Sequence, residues 1–140
     1  MGRYLLDTNI VVFLVLSELD EITIQNKQIL DDYNNQLFTS SICVIEIIQL
    51  YRIGRIKTKK YKTVSEIIIA LETNFNIKIL PFAKSSVETL SKLQILENHK
   101  DIMDHSIISH AITENLFLMS SDKSFDFYTK QKLKFVFNKR

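Results

Sequence analysis

Glycine occurs twice, proline once and tryptophan not at all in these 140 residues. With only Gly2 and Gly54 available, no glycine-rich loop can wrap a phosphate, which excludes nucleotide chemistry by that route. No Ser/Gly/Pro-rich stretch is present, so neither a linker nor a disordered tail is expected. The lone cysteine, Cys43, cannot form an internal disulfide; set in an apolar stretch, it reads as a buried thiol of a protein kept in a reducing cytoplasm. The longest apolar run, Ile10 to Leu16, is far too short to span a bilayer, and Asp7 interrupts the place where a signal peptide would need its apolar core. Membrane insertion and secretion are therefore not expected.

What the chain does have is apolar content. Hydrophobic residues make up 46%, enough for one compact core in a length too small for two ordinary domains, so residues 1–140 are expected to form a single domain. The net charge of +2 is uninformative, but its distribution is uneven. Residues 1–50 hold seven acids against two bases, Arg3 and Lys27. Arg52, Arg55, Lys57, Lys59, Lys60 and Lys62 then follow with no acid between them, and Lys130, Lys132, Lys134, Lys139 and Arg140 form a second basic group. Such runs are either solvated surface or contacts for a phosphate backbone.

Short apolar segments at Arg3–Leu6, Leu37–Ser40, Ile77–Leu80, Leu116–Met119 and Leu133–Phe137 read as strands. Helical spacing is expected over 8–16, 21–33 and Ser41–Ile53, where Gly54 is placed to end the helix. Thr63-Val-Ser-Glu66 and Ser85-Ser-Val-Glu88 both have capping-box spacing, the second opening a helix that runs toward Leu96. Asp101 can cap the helix after it, and Asp122–Tyr128 reads as a short helical turn. This alternation implies an α/β fold: a mainly parallel sheet of four to five strands with helices on both faces. The ligand site of such a sheet lies beyond the carboxyl ends of its strands.

Asp7 directly follows the first strand, and Asp122 lies just past the fourth. Asp104 falls in the first turn of an apolar helix, and Glu46 sits within Ile42-Cys-Val-Ile-Glu-Ile-Ile. Asp7 and Asp122 could be simple helix caps and Asp104 a first-turn acid on its helix dipole. Glu46 resists such a reading, because a glutamate among residues that want burial needs a partner and no base lies within one helical turn. If Glu46 joins the three aspartates, their repulsion calls for a divalent cation. Oxygen-only ligands select Mg²⁺ or Mn²⁺, which can acidify a water and stabilise a departing phosphate oxygen. That is nuclease chemistry. His105 and His110 are five residues apart, a spacing that turns them away from one another on a helix, so these two and His99 read as surface or core histidines.

Four segments in order carry a family likeness: Tyr4-Leu-Leu-Asp-Thr-Asn9, Thr39-Ser-Ser-Ile-Cys-Val-Ile-Glu46, Asp101-Ile-Met-Asp-His-Ser-Ile-Ile-Ser-His-Ala111 and Leu118-Met-Ser-Ser-Asp-Lys-Ser-Phe125. Through them the chain resembles the PIN-domain ribonucleases, and among these the VapC-like toxins of bacterial type II toxin-antitoxin pairs. The resemblance implies a three-layer PIN-like sandwich and a Mg²⁺- or Mn²⁺-dependent endoribonuclease with Asp7, Glu46, Asp104 and Asp122 as catalytic ligands. Thr8, Asn9 and Ser120 would be polar supports that orient the carboxylates, and Asp101 and Asp126 further candidate acids. It also implies an RNA substrate, a small antitoxin partner and a homodimer; the basic run Arg52–Lys62 is a candidate RNA contact on its charge alone. Ile102 and His105 stand where the family often has proline and arginine, and Ser120 where threonine is commoner. A catalytically silent PIN-like module that only binds RNA or protein is the alternative, and retention of four acids argues against it. An aspartyl-phosphate domain fits poorly, because Asp7-Thr-Asn9 lacks the second aspartate such enzymes need.

Overall fold

Leu5 and Leu6 are both fully buried, and neighbouring side chains of a strand point to opposite faces, so the first strand must be covered on both sides. The computed structural model, which describes residues 1–140, shows how. Strands β1 (Arg3–Leu6), β2 (Gln36–Ser40), β3 (Ile77–Leu80), β4 (Phe117–Ser120) and β5 (Lys134–Phe137) form one sheet in the order β3-β2-β1-β4-β5. Every adjacent pair is parallel. Helices α1 (Thr8–Val15), α2 (Ile24–Asp31), α3 (Ser41–Arg52), α4 (Val64–Thr73), α5 (Lys84–Lys92) and α6 (Ile102–Glu114) supply the covering layers, with 3₁₀ segments at Leu19–Glu21 and Lys123–Gln131.

Leu6 and Met119 join Ile10, Val11, Ile47, Ile67 and Leu71 of α1, α3 and α4 in one buried cluster. On the opposite face Leu5, Phe38 and Leu118 meet Ile107, Ile108 and Ala111 of α6, together with Phe125 and Tyr128 of the second 3₁₀ segment. The result is the expected α/β sandwich with a five-stranded parallel sheet as its middle layer. No helix is long and apolar enough to cross a membrane.

Two elements depart from the expectations. Residues 21–33 do not form one helix: Leu19–Glu21 is 3₁₀, Ile22 and Thr23 are extended, and α2 starts at Ile24. Thr23 caps α2, its Oγ1 accepting the Asn26 N–H at 3.2 Å, and its own N–H donates to Asn138 Oδ1 at 2.9 Å, which ties this break to the far end of the chain. The second capping box does not form either. The Phe82 N–H donates to Ser41 Oγ at 2.9 Å, the chain turns into α5 with Ala83 as its cap, and Ser85 falls inside the helix. The helix ends at Lys92, short of Leu96. Thr63 and Glu66 do form their reciprocal box, and Gly54 follows α3 with φ +78.

Because all five strands run the same way, their carboxyl ends share one rim. Chain connections leave β1 toward β2 on one side and reach β4 on the other, which opens a crevice at the end of β1. We predict that Thr63→Ala lowers the urea midpoint by an amount worth about 1 kcal/mol, while Ser85→Ala changes it by less than about 0.5 kcal/mol. Equal losses would contradict the different caps.

Candidate metal centre

Asp7 is the first residue past the central strand and caps α1, its Oδ1 accepting the Thr8 N–H at 2.8 Å. Its own N–H donates to Met119 O at 2.9 Å, which carries the β1–β4 pairing one step beyond the strand and holds Asp7 against the end of β4. There Ser120 Oγ donates to Asp7 Oδ2 at 2.6 Å, and Asn9 Nδ2 approaches the same oxygen at 3.3 Å. Asn9 Oδ1 in turn accepts the Ser121 N–H at 3.2 Å. Glu46 reaches the crevice from the second turn of α3, and Thr8 Oγ1 donates to its Oε1 at 2.7 Å. The partner that Glu46 requires is thus a hydroxyl, and the side chain is half-buried at the rim.

Asp104 enters from the first turn of α6, whose cap is Asp101. Asp122 caps the second 3₁₀ segment, accepting the Ser124 N–H at 3.0 Å and its hydroxyl at 2.6 Å. Asp7, Glu46, Asp104 and Asp122 line one cavity of about 290 Å³ together with Thr8 and Asn9. A larger hollow of about 510 Å³ beside Lys57, Lys59 and Lys60 contains a single acid, Glu18, and so has no comparable chemistry.

The cavity concentrates uncompensated negative charge. Burial pushes the Asp7 carboxyl up to about 7, helped by the charges of Asp104 and Glu46 and opposed by the Ser120 and Thr8 hydrogen bonds. Burial also raises Glu46 and Asp104, each reinforced by neighbouring carboxylates, Asp101 among them. No lysine or arginine pairs with any of the four. Cys43 offers its sulfur within 4.8 Å of ligand oxygens of Asp7 and Glu46, but burial pushes that thiol up to about 12, so it stays protonated. The available donors are therefore oxygens short of positive charge, which suits a hard divalent cation.

Other candidates lie elsewhere. Asp101 is exposed and occupied as the α6 cap, accepting the Met103 and Asp104 N–H groups. Asp126 is exposed and borders a separate hollow beside Phe127. Arg52, Arg55 and Lys62 are exposed, while Lys57, Lys59 and Lys60 lie beside Val15–Glu18 at the far end of α1, about 12 Å along that helix from the acids.

Two residues at the site are not among the expected site residues, Arg140 counting only in the second basic group and His99 as a surface or core histidine. Arg140 borders the cavity, held by Glu21 through Nε–Oε2 at 2.9 Å and by the Phe13 ring 5.0 Å from its Cζ. His99 places Nε2 2.9 Å from Asp104 Oδ2, and its ligand atom lies within 4.8 Å of those of Asp104 and Asp122. It is thus neither a surface nor a core histidine, whereas His105 and His110 are both buried in the core. Only the isolated position of His99, just before the Asp101 cap, could have hinted at this.

The family described as the PIN domain matches residues 4–130. No curated protein matches the chain by sequence. Among solved structures, VapBC2 from Rickettsia felis bound to a DNA fragment from its promoter is similar at 24% identity and TM-score 0.67, covering 97% of this chain and 98% of that one. DNA-bound VapBC from Salmonella typhimurium is similar at 17% identity and TM-score 0.64, covering 97% and 98%. VapBC-5 of the VapBC family of toxin-antitoxin systems, from Mycobacterium tuberculosis, is similar at 16% identity and TM-score 0.59 over 100% of both chains. At such identities the likeness is one of fold.

A carboxyl raised from 3.8 to about 7 keeps its proton in the folded state where the unfolded chain has lost it. Folding is then favoured by proton uptake, and stability falls as pH rises from about 4 to about 7, by roughly 4 kcal/mol for Asp7. In chelator the Asp7→Asn variant should melt above the wild type at pH 8, with the gap closing toward pH 5. A gap independent of pH would contradict the buried charge.

Proposed function

Because the chain belongs to the PIN-domain family, we propose that it is a metal-dependent endoribonuclease acting as a VapC-like toxin. The observation that carries this reading is the meeting of four carboxylates from four separate elements in one cavity, none of them paired with a lysine or arginine. Such an arrangement costs folding energy unless a cation is bound, so it is hard to explain as structural. Asp7, Glu46, Asp104 and Asp122 would hold Mg²⁺ or Mn²⁺. The bound ion would supply Lewis acidity, acidifying water and neutralising charge on a phosphodiester.

The rest falls to the chain itself. Ser120, Asn9 and the Thr8 N–H fix the Asp7 carboxylate, and the Thr8 hydroxyl fixes Glu46, so the ligands are held before any ion or substrate arrives. Ionised Asp7 or Glu46 can accept a proton from a nearby water. Arg140 puts one guanidinium at the rim of this negative cavity, where it can meet a phosphate oxygen and orient the RNA backbone. The exposed Arg52–Lys62 run, whose Lys57, Lys59 and Lys60 lie at the far end of α1, would contact nucleotides flanking the cut.

The VapBC toxin-antitoxin systems of similar fold support an antitoxin as partner. We further propose that it lies over the acidic cavity and that the protein is a homodimer, as the PIN-domain resemblance implies. We predict that purified protein with Mn²⁺ cleaves a mixed RNA pool, that chelator stops cleavage, and that Asp7→Asn lowers the rate by more than about 100-fold, beyond what loss of an outer-shell partner costs. Equal degradation by both proteins would refute the assignment. In a calorimetric titration Glu46→Gln should weaken Mn²⁺ binding, whereas a silent binding module should show no such metal site in either protein.

A further inference from the structure

The 93–101 connection before α6 presents His99 to Asp104. We propose that His99 is a positioning residue that clamps Asp104, with Tyr128 and His105 setting the direction of the clamp. This inference rests on the reading of Asp104 as a carboxylate that holds a cation.

With Asp104 ionised and His99 neutral, the hydrogen-bond chain has one consistent order. His99 Nε2 lies 2.9 Å from Asp104 Oδ2, and His99 Nδ1 lies 3.1 Å from the Tyr128 hydroxyl. That hydroxyl lies 2.8 Å from His105 Nε2. An ionised carboxylate can only accept, so Nε2 of His99 must carry the proton. In the neutral ring Nδ1 is then bare and accepts, which uses the single proton of Tyr128. His105 must therefore donate from Nε2 to the Tyr128 oxygen.

The surroundings are built to hold this chain. Tyr128 is fully buried, and the rings of His99 and His105 meet edge to face at 5.0 Å. The backbone before His99 makes a tight turn, with the His99 N–H donating to Leu96 O at 2.9 Å. Glu97 and Asn98 both adopt positive φ, 50 and 59, in that turn. Asparagine tolerates this conformation but glutamate does not favour it, and two such residues in succession without glycine persist only where surrounding contacts impose them. Leu96 N–H approaches the same Tyr128 hydroxyl at 3.4 Å, so one buried phenol anchors both the turn and the ring it delivers.

With Oδ2 held by His99, the other oxygen of Asp104 is left for a cation, and the carboxylate cannot rotate away. Loss of a partner of this kind typically costs about 10- to 100-fold in metal affinity. The expected results are a Mn²⁺ affinity about tenfold weaker for His99→Ala, restoration to within about threefold for His99→Gln, whose amide can donate from the same place, and an intermediate loss for Tyr128→Phe. Thermal melts in chelator would confirm that each variant is folded. The position of the ring proton is a second readout: nitrogen-proton correlation spectra at pH 8 should show His99 protonated at Nε2, both metal-free and with Mg²⁺, its signals identified by their loss in His99→Ala. Wild-type Mn²⁺ affinity in folded His99→Ala would overturn the clamp. So would a proton on Nδ1, or loss of the Nε2 proton on adding Mg²⁺, which would make His99 a ligand. If the wild type binds no Mn²⁺, the cation reading of the cavity fails, and the metal-free spectra still decide whether His99 donates to Asp104.

Discussion

The central constraint on this molecule is mutual repulsion. Asp7 is placed where a carboxylate loses most of its water, at the end of the innermost strand, with Glu46 and Asp104 near enough to raise it further. In a protein selected for stability alone, this would be the first position to become apolar. Hydroxyl and amide donors from Ser120, Asn9 and Thr8 recover part of the cost, but none brings positive charge. The arrangement is explained by what the site would hold rather than by what holds the fold together.

The sheet makes that arrangement possible. Strand β1 pairs with β2 and β4, both parallel to it, so Asp7 emerges between two other strand ends that are rich in hydroxyls. Ser40 caps α3 and thereby aims the helix that carries Glu46, while Ser120 donates to Asp7 and accepts the Asp122 N–H at 3.0 Å, so one hydroxyl links two of the acids. Ser40 also meets His110 Nδ1 at 2.8 Å, which ties α3 to α6 and hence the Glu46 helix to the Asp104 helix. Two hydrophobic clusters, one on each face, press these helices onto the sheet, so the cavity inherits its rigidity from the core.

Local signals were readable wherever the cause is local. Arg3–Leu6 and Ile77–Leu80 are short, apolar and bounded by turn residues, and they are strands over those residues. The Thr63–Glu66 cap formed because both partners lie within one turn. The matching pattern at Ser85–Glu88 failed because Ser41, over forty residues earlier in the chain, fixes Phe82 and shifts the helix start. The split of the 21–33 segment has a remote part of the same kind, a bond from Thr23 to Asn138, beside a local one, the Thr23 cap on Asn26. A hydrogen bond across the fold is worth as much as a local one, and nothing near it in sequence announces it.

At the site the division is similar. An acid after a strand, an acid among isoleucines and an acid in a first helical turn are all visible in one dimension, because each is out of keeping with its own neighbours. Neither His99 nor Arg140 is out of keeping with anything adjacent, and each matters through a residue it meets in space, Asp104 for one and Phe13 with Glu21 for the other. By itself the sequence determined the alternation of strands and helices, the parallel sheet and the identity of the acidic side chains, since these follow from periodicity and from the cost of burying charge. Only the tertiary structure decided which acids share a cavity, which basic residue stands over it and which imidazole holds Asp104, because distances between remote residues are set by the packing of the two cores and by no local preference.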